Sequence, residues 1–278
     1  MNLSDVRAAF ADTYAIEREL GRGGMACVYQ ARRRDDDVAV AVKVIRPEIS
    51  VGIGYKRFQR EIELLMRLDH PHILPLLETG EAGPYLYYTM PRAVGESLKA
   101  RLVTDRRLPF ADVLALASQI GAALDYAHAA DVLHRDIKPE NILWHEDRWV
   151  LCDFGVARAL EAAAPDSLSP SGMVIGTPQY MSPEQGSAGK KLDGRSDLYA
   201  LGCVLYEAVA GHPPFTGATS QAIIARHVKE RVPSLRIARP EVPEPMAAGI
   251  ERALAKKPGD RPKSGAALAA ALAQRAER

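Results

Sequence analysis

The 278-residue chain carries 36 Lys plus Arg against 35 Asp plus Glu, so no net field draws it to nucleic acid, and its 47% hydrophobic content can fill a core large enough for two lobes. Cys27, Cys152 and Cys203 stand far apart with no CxxC pair, which excludes a disulfide framework or zinc ribbon and suits a reducing compartment. The opening Met1-Asn2-Leu3-Ser4-Asp5 has neither the basic start nor the apolar run of a secretion signal, and no stretch reaches the roughly 18 apolar residues of a membrane span.

After a short polar lead, residues 14–20 mix alternating and helical cues. Gly21-Arg22-Gly23-Gly24 then breaks the chain and Cys27-Val28-Tyr29 resumes an extended pattern. This predicts a glycine turn between two strands, in which missing Cβ atoms let backbone amides approach phosphate oxygens. Taken alone, GxGxxAxV fits a plain hairpin better than a phosphate loop, and no helix follows as a dinucleotide-binding unit would require. Residues 32–37 read as a solvated charged turn. Residues 38–45, VAVAVKVI, read as a buried strand interrupted by Lys43, whose charge needs a partner. Over 55–69, Phe58, Ile62 and Leu65 fall at helical spacing, which turns Glu61 toward the same interior. Lys43 and Glu61 are therefore candidates for an ion pair, structural or functional. Pro71 closes that helix, and strands are predicted near 73–79 and 85–90. His70 and His72, beside a proline and without further ligands, read as packing and turn residues. Between 90 and 98 the periodicity changes from strand to helix.

Residues 110–129 place Val113, Leu116, Ile120, Leu124 and Ala127 on one helical face and lead into His134-Arg135-Asp136-Ile137-Lys138-Pro139-Glu140-Asn141, a polar loop between apolar anchors. Phosphoryl transfer from a nucleotide needs a carboxylate to orient and deprotonate a hydroxyl, a cation near the transferring phosphate and an oxygen ligand for Mg²⁺. Asp136, Lys138 and Asn141 fit those roles in order, although a lone HxD also suits a solvated surface loop. Two short strands, 142–144 and 149–152, then deliver Asp153-Phe154-Gly155. Residues 159–176 have the Ala, Pro, Ser and Gly composition of a mobile loop. Residues 196–207 open a helix that is apolar nearly all round, hence buried, with Asp197 near its N-terminal dipole. Gly211-His212-Pro213-Pro214-Phe215 ends it, and 264–275 form a last Ala-rich helix.

GxGxxAxV, the Lys43 strand, HRDIKPEN, DFG twelve residues after Asn141, IGTPQYMSPEQ and SDLYALGCVLYE follow one another in the order of the protein-kinase signatures. Over about residues 14–275 the chain resembles bacterial eukaryotic-like Ser/Thr protein kinases, with Lys138 two residues after Asp136 matching the Ser/Thr branch. The resemblance implies an α+β, bilobal fold in one domain over 1–278: a smaller lobe, 1–91, with an antiparallel sheet and one helix, and a larger, mainly helical lobe, 92–278. It implies catalytic roles for Asp136, Lys138, Asn141, Lys43 and Glu61. ATP contacts fall to Gly21, Gly23, Val28, Ala41, Lys43, Met90, Pro91 and Ala93. Mg²⁺, with Mn²⁺ as a substitute, falls to Asn141 and Asp153.

Met90 stands at the gatekeeper position; Pro91 keeps the carbonyl, and Ala93 the amide, that read adenine. Residues 159–184 correspond to the activation segment, SPE replacing APE, and a phosphate on Ser169 or Ser171 would pair with Arg135. Thr177 is implied beside Asp136 and Lys138, Arg261 against Glu184, and Asp197 beneath the backbone of the 134–141 loop. The same likeness implies protein Ser/Thr acceptors, autophosphorylation in trans within a homodimer, and a cytoplasmic location, alone or as the cytosolic domain of a longer membrane-anchored protein. Ala26, in place of a loop glycine, and Pro91 leave open a silent, nucleotide-binding pseudokinase. A small-molecule phosphotransferase of similar two-lobed fold is the other alternative. Binding without turnover would mark the first, phosphate on a metabolite the second.

Overall fold

β-Branched and aromatic residues at alternate positions set the first part of the chain into a five-stranded antiparallel sheet. The computed structural model describes residues 1–50, 55–154, 177–187 and 192–274. A helix, α1 (Leu3–Ala9), precedes β1 (Tyr14–Arg22), β2 (Ala26–Arg33) and β3 (Ala39–Ile45). Then come α2 (Pro47–Ser50), α3 (Tyr55–Leu65), β4 (Glu78–Ala82) and β5 (Tyr85–Pro91). The strands lie in the order β1-β2-β3-β5-β4. Because side chains alternate across a strand, Cys27, Tyr29, Val40, Val42, Val44 and Tyr87 share one face and build an apolar core with Val6 and Phe10. Among the described residues, Met1–Asp69 and Leu74–Val94 form this compact unit, and His70–Ile73 with those from Gly95 onward form a second.

Two expectations about this unit need correction. The polar lead is a helix, N-capped by Asn2, whose side chain accepts from Ser4 N. Only Val6 and Phe10 on its inner side are buried, too few apolar positions to make a period visible. The strand predicted near 73–79 begins only at Glu78, because Pro71 and Pro75 cannot donate to a ladder. Ile73 instead makes one parallel bridge to Leu151, whose amide donates to His72 O at 2.9 Å.

In the second unit, α4 (Leu98–Asp105), capped by Ser97, and α5 (Phe110–Ala129) precede the hairpin of β6 (Ile142–His145) and β7 (Arg148–Leu151). They are followed by α6 (Gly194–Ala210), α7 (Ser220–Lys229), α8 (Leu235–Ala238), α9 (Glu244–Ala253) and α10 (Gly265–Ala273). Almost every residue of α6 from Ser196 on is buried, as its unbroken apolar pattern requires. Gly211, at φ +87°, ends it in the left-handed conformation that a Cβ would strain. Gly121 of α5 and Gly265 at the start of α10 touch backbone to backbone: a Cβ on Gly265 would stand 2.2 Å from Gly121 O.

That approach lets Asp125 cap α10 from the neighbouring helix, accepting from Gly265 N at 2.6 Å and Ala266 N at 2.9 Å. Asp125→Ala should therefore lower stability by about 1–2 kcal/mol, the worth of a lost cap. Urea unfolding should show an earlier midpoint at unchanged slope. Among the described residues no helix is long and apolar enough to cross a membrane.

Candidate active site

The loop 134–141 is held from below by one buried carboxylate. Asp197, 2% exposed, accepts from His134 N and Arg135 N at 2.9 Å each, and its Oδ2 lies 2.8 Å from His128 Nε2. A helix N-terminus with an acidic side chain thus fixes the loop backbone, including Arg135 at φ +69°. His134, fully buried, links three parts of the site. Its Nδ1 accepts from Asp136 N at 3.2 Å, its Nε2 lies 2.9 Å from Cys152 O, and its ring meets Phe154 at 4.7 Å. A carbonyl cannot donate, so Nε2 carries the proton and the ring is the neutral Nε2–H tautomer.

On this frame the polar side chains converge. Lys138 Nζ stands 2.6 Å from Asp136 Oδ2. Asn141 Nδ2 donates to Asp136 O at 2.8 Å and approaches Asp136 Oδ2 at 3.4 Å. Both groups address Oδ2. Asn141 Oδ1, turned away from that bond, is an oxygen donor for a hard cation. Asn141 O receives Cys152 N at 2.9 Å, so the loop is tied to the strand end that bears Asp153, itself at φ +65°. Among the described residues no trio of His, Cys, Asp or Glu could hold a metal. An Asn–Asp pair whose remaining ligands are phosphate oxygens and water suits Mg²⁺ and needs no such trio.

Arg135, Asp136, Ile137, Thr177, Tyr180, Met181 and Gln185 line a small pocket. Thr177 therefore sits near Asp136, but among the described residues no hydrogen bond joins it to Asp136 or Lys138. Two residues here escaped sequence reasoning. Gln185 Nε2 donates to Arg135 O at 2.8 Å while its Oε1 accepts from Ser182 N at 3.0 Å, fixing the pocket's rim. Glu207, 5% exposed, accepts from the Tyr180 hydroxyl, and burial pushes that phenol's pKa far up, with the neighbouring carboxylate adding to it. The signal for Glu207 was present: a charge in an otherwise apolar helix needs a partner. Glu184 behind the pocket is bound by Arg261 at 2.6 and 2.8 Å. Burial works against its ionisation, but Arg261 and the Ser196 hydroxyl offset that and hold the carboxyl below its ordinary pKa.

Five of the predicted nucleotide residues share one face of the sheet. Strand register sets Gly21 opposite Val28, Val28 opposite Lys43, Lys43 opposite Tyr88, and Ala41 opposite Met90. Directly paired residues share a face, so Gly21, Val28, Ala41, Lys43 and Met90 lie together, opposite the apolar core. Gly23 N donates to Ala26 O at 2.8 Å and closes the turn. Pro91 ends β5 opposite Val40, and Ala93 follows, half-buried.

Lys43 Nζ stands 5.8 Å from the Tyr88 ring centre, and Glu61 lies half-buried on α3. Ser169 and Ser171 lie outside the described residues.

Comparison with known proteins gives a consistent picture. The family described as protein kinase domain matches residues 14–272. The serine/threonine-protein kinase PknD of Mycobacterium tuberculosis is 40% identical over 261 residues, 93% of this chain and 39% of the relative. PknB of Mycolicibacterium smegmatis is 39% identical over 269 residues, 94% of this chain and 43% of the relative. The chain thus spans less than half the length of these curated relatives. The crystal structure of the M. tuberculosis PknI kinase domain aligns with a TM-score of 0.73 at 32% identity, covering 94% of each chain.

Proposed function

This chain belongs to the protein kinase family, and from that premise we propose that it is a Ser/Thr protein kinase that uses ATP and Mg²⁺. The observation that carries the reading is the convergence of Lys138 and Asn141 on one oxygen of Asp136; by this reading the other oxygen takes the acceptor hydroxyl. In the reaction a bond forms from the acceptor oxygen to the γ-phosphorus while the bond from that phosphorus to the β–γ bridging oxygen breaks. Asp136 orients the hydroxyl and takes its proton. Lys138 and Lys43 offset negative charge on the phosphates, while backbone amides at Gly21 and Gly23 bind them. Asn141 and Asp153 would hold Mg²⁺, or Mn²⁺ in its place, which would supply further charge neutralisation. Adenine is read by the Pro91 carbonyl and the Ala93 amide against Val28, Ala41 and Met90.

Glu61 holds Lys43 in the active state by this reading. Phosphate acquired on Ser169 or Ser171, in trans between two copies, pairs with Arg135 and orders the docking segment. Substrates are Ser/Thr hydroxyls of proteins, reached on the cytoplasmic side, with this chain as the catalytic part of a longer protein.

The test is intact mass after the phosphatase-treated chain is incubated with MgATP, with and without a generic protein acceptor. Gains in steps of one phosphate on chain or acceptor are expected. Nucleotide binding with no transfer to any protein would overturn the reading in favour of a pseudokinase. If the steps persist after Ser169 and Ser171 both become Ala and acceptor activity is unchanged, regulation at those serines is excluded.

A further inference from the structure

The family match begins at residue 14, yet the residues before it are fastened to the sheet at three points: its apolar core, the first half of β1 and the glycine turn. Val6 and Phe10 are 0% and 1% exposed, and the Phe10 ring meets Tyr87 at 4.9 Å. Arg7 Nε donates to Ile16 O at 2.9 Å and its Nη2 to Glu17 O. Both Nη atoms of Arg22, inside the glycine turn, approach Met1 O at 3.4 Å, and the same guanidinium is braced by Glu19 at 3.0 and 2.5 Å.

These contacts fall where β1 is weakest. It is an edge strand, and its pairing with β2 slips twice, between Ile16 and Arg18 and between Glu19 and Gly21. Bulges bend a strand and increase its twist, so a doubly bulged edge leaves the pitch of the turn after it under-determined by the ladder alone. The Arg7 fork grips the first slip, and the Arg22–Met1 contact lies just past the second.

We infer that α1 is a strut that holds the 21–24 turn in its phosphate-receiving conformation, with Arg7 a positioning residue for ATP. This rests on the ATP-dependent reading above. Arg7 acts through β1 and touches no substrate. Its planar fork, not its charge, makes two bonds at once.

The experiment measures affinity for MgATP and for adenosine by titration calorimetry on the full chain, comparing it with Arg7→Ala and Arg7→Lys. Arg7 is exposed, so both variants should fold, which circular dichroism checks. Both are expected to weaken MgATP binding about fivefold, the worth of a lost hydrogen bond, and to leave adenosine binding within about twofold. Equal weakening of both ligands would mean a general loosening of the sheet and overturn the inference. Full affinity in Arg7→Lys would reduce the effect to charge, and unchanged MgATP affinity in Arg7→Ala would remove it; either result overturns the inference. If the unchanged chain binds adenosine but not MgATP, or binds neither, the kinase reading itself fails and the strut with it.

Discussion

Asp136→Asn should lower the rate of phosphoryl transfer to a protein acceptor by about 10²–10⁴-fold, the range for losing a positioned general base. MgATP affinity should stay within about twofold, because the proposed role of Asp136 is toward the acceptor and not the nucleotide. Asn keeps an oxygen toward the hydroxyl but cannot take its proton. It also removes the carboxylate that holds Lys138 Nζ at 2.6 Å, while the Asn141 bond to the backbone oxygen of residue 136 survives. The loop should therefore keep its shape, since Asp197 and His134 grip its backbone. Single-turnover kinetics beside nucleotide titration separate the two effects. A matched fall in nucleotide affinity would instead mean that the loop had collapsed, and the role given to Asp136 would lose its support.

The largest stability effect is expected at Arg261. All of its donors are used: Nη1 and Nη2 on Glu184, Nη1 also on Arg195 O at 2.9 Å, Nη2 on Lys256 O at 3.2 Å and Nε on Ala255 O at 2.8 Å. Its side chain is fully buried and that of Glu184 is 5% exposed. Arg261→Met leaves a buried carboxylate without its cation and takes a donor from each of three carbonyls, and should cost about 3–5 kcal/mol. Adding Glu184→Gln should recover part of this, since the stranded charge goes with it; a chemical-denaturation cycle reads the difference.

The pH dependence has a definite sign. The folded-state pKa of Glu184 lies below its ordinary value, so the pair contributes fully above the ordinary carboxylate range. That contribution is lost as pH falls through the folded value. Arg261→Met should therefore show a shallower loss of stability at acid pH than the unchanged chain. An identical acid slope in both proteins would show that Glu184 titrates no differently folded or unfolded.

Period and punctuation made most elements legible. The helix read over 110–129 is α5 to the residue, because an uninterrupted apolar stripe next to proline at one end leaves little choice of boundary. The buried strand around Lys43 and the buried helix around Asp197 were visible from apolar runs interrupted by one charge. Residues 73–79 failed because an apolar run does not say whether its amides find a ladder, and prolines at 71 and 75 decide that they do not. Helix α1 was missed because its two buried residues are too few to stand out, and its value lies in what they touch.

By itself the sequence determined the family and the inventory of chemical groups. Lys138 and Asn141 lie within five residues of Asp136, and a short loop between apolar anchors cannot carry them far apart. Only the tertiary structure decided which groups meet across long stretches of chain. Asp197 lies beneath a loop some sixty residues earlier, and Arg261 binds Glu184 seventy-seven residues away through both Nη atoms. Burial fixes the direction in which a side chain points, and the whole fold decides which partner it meets.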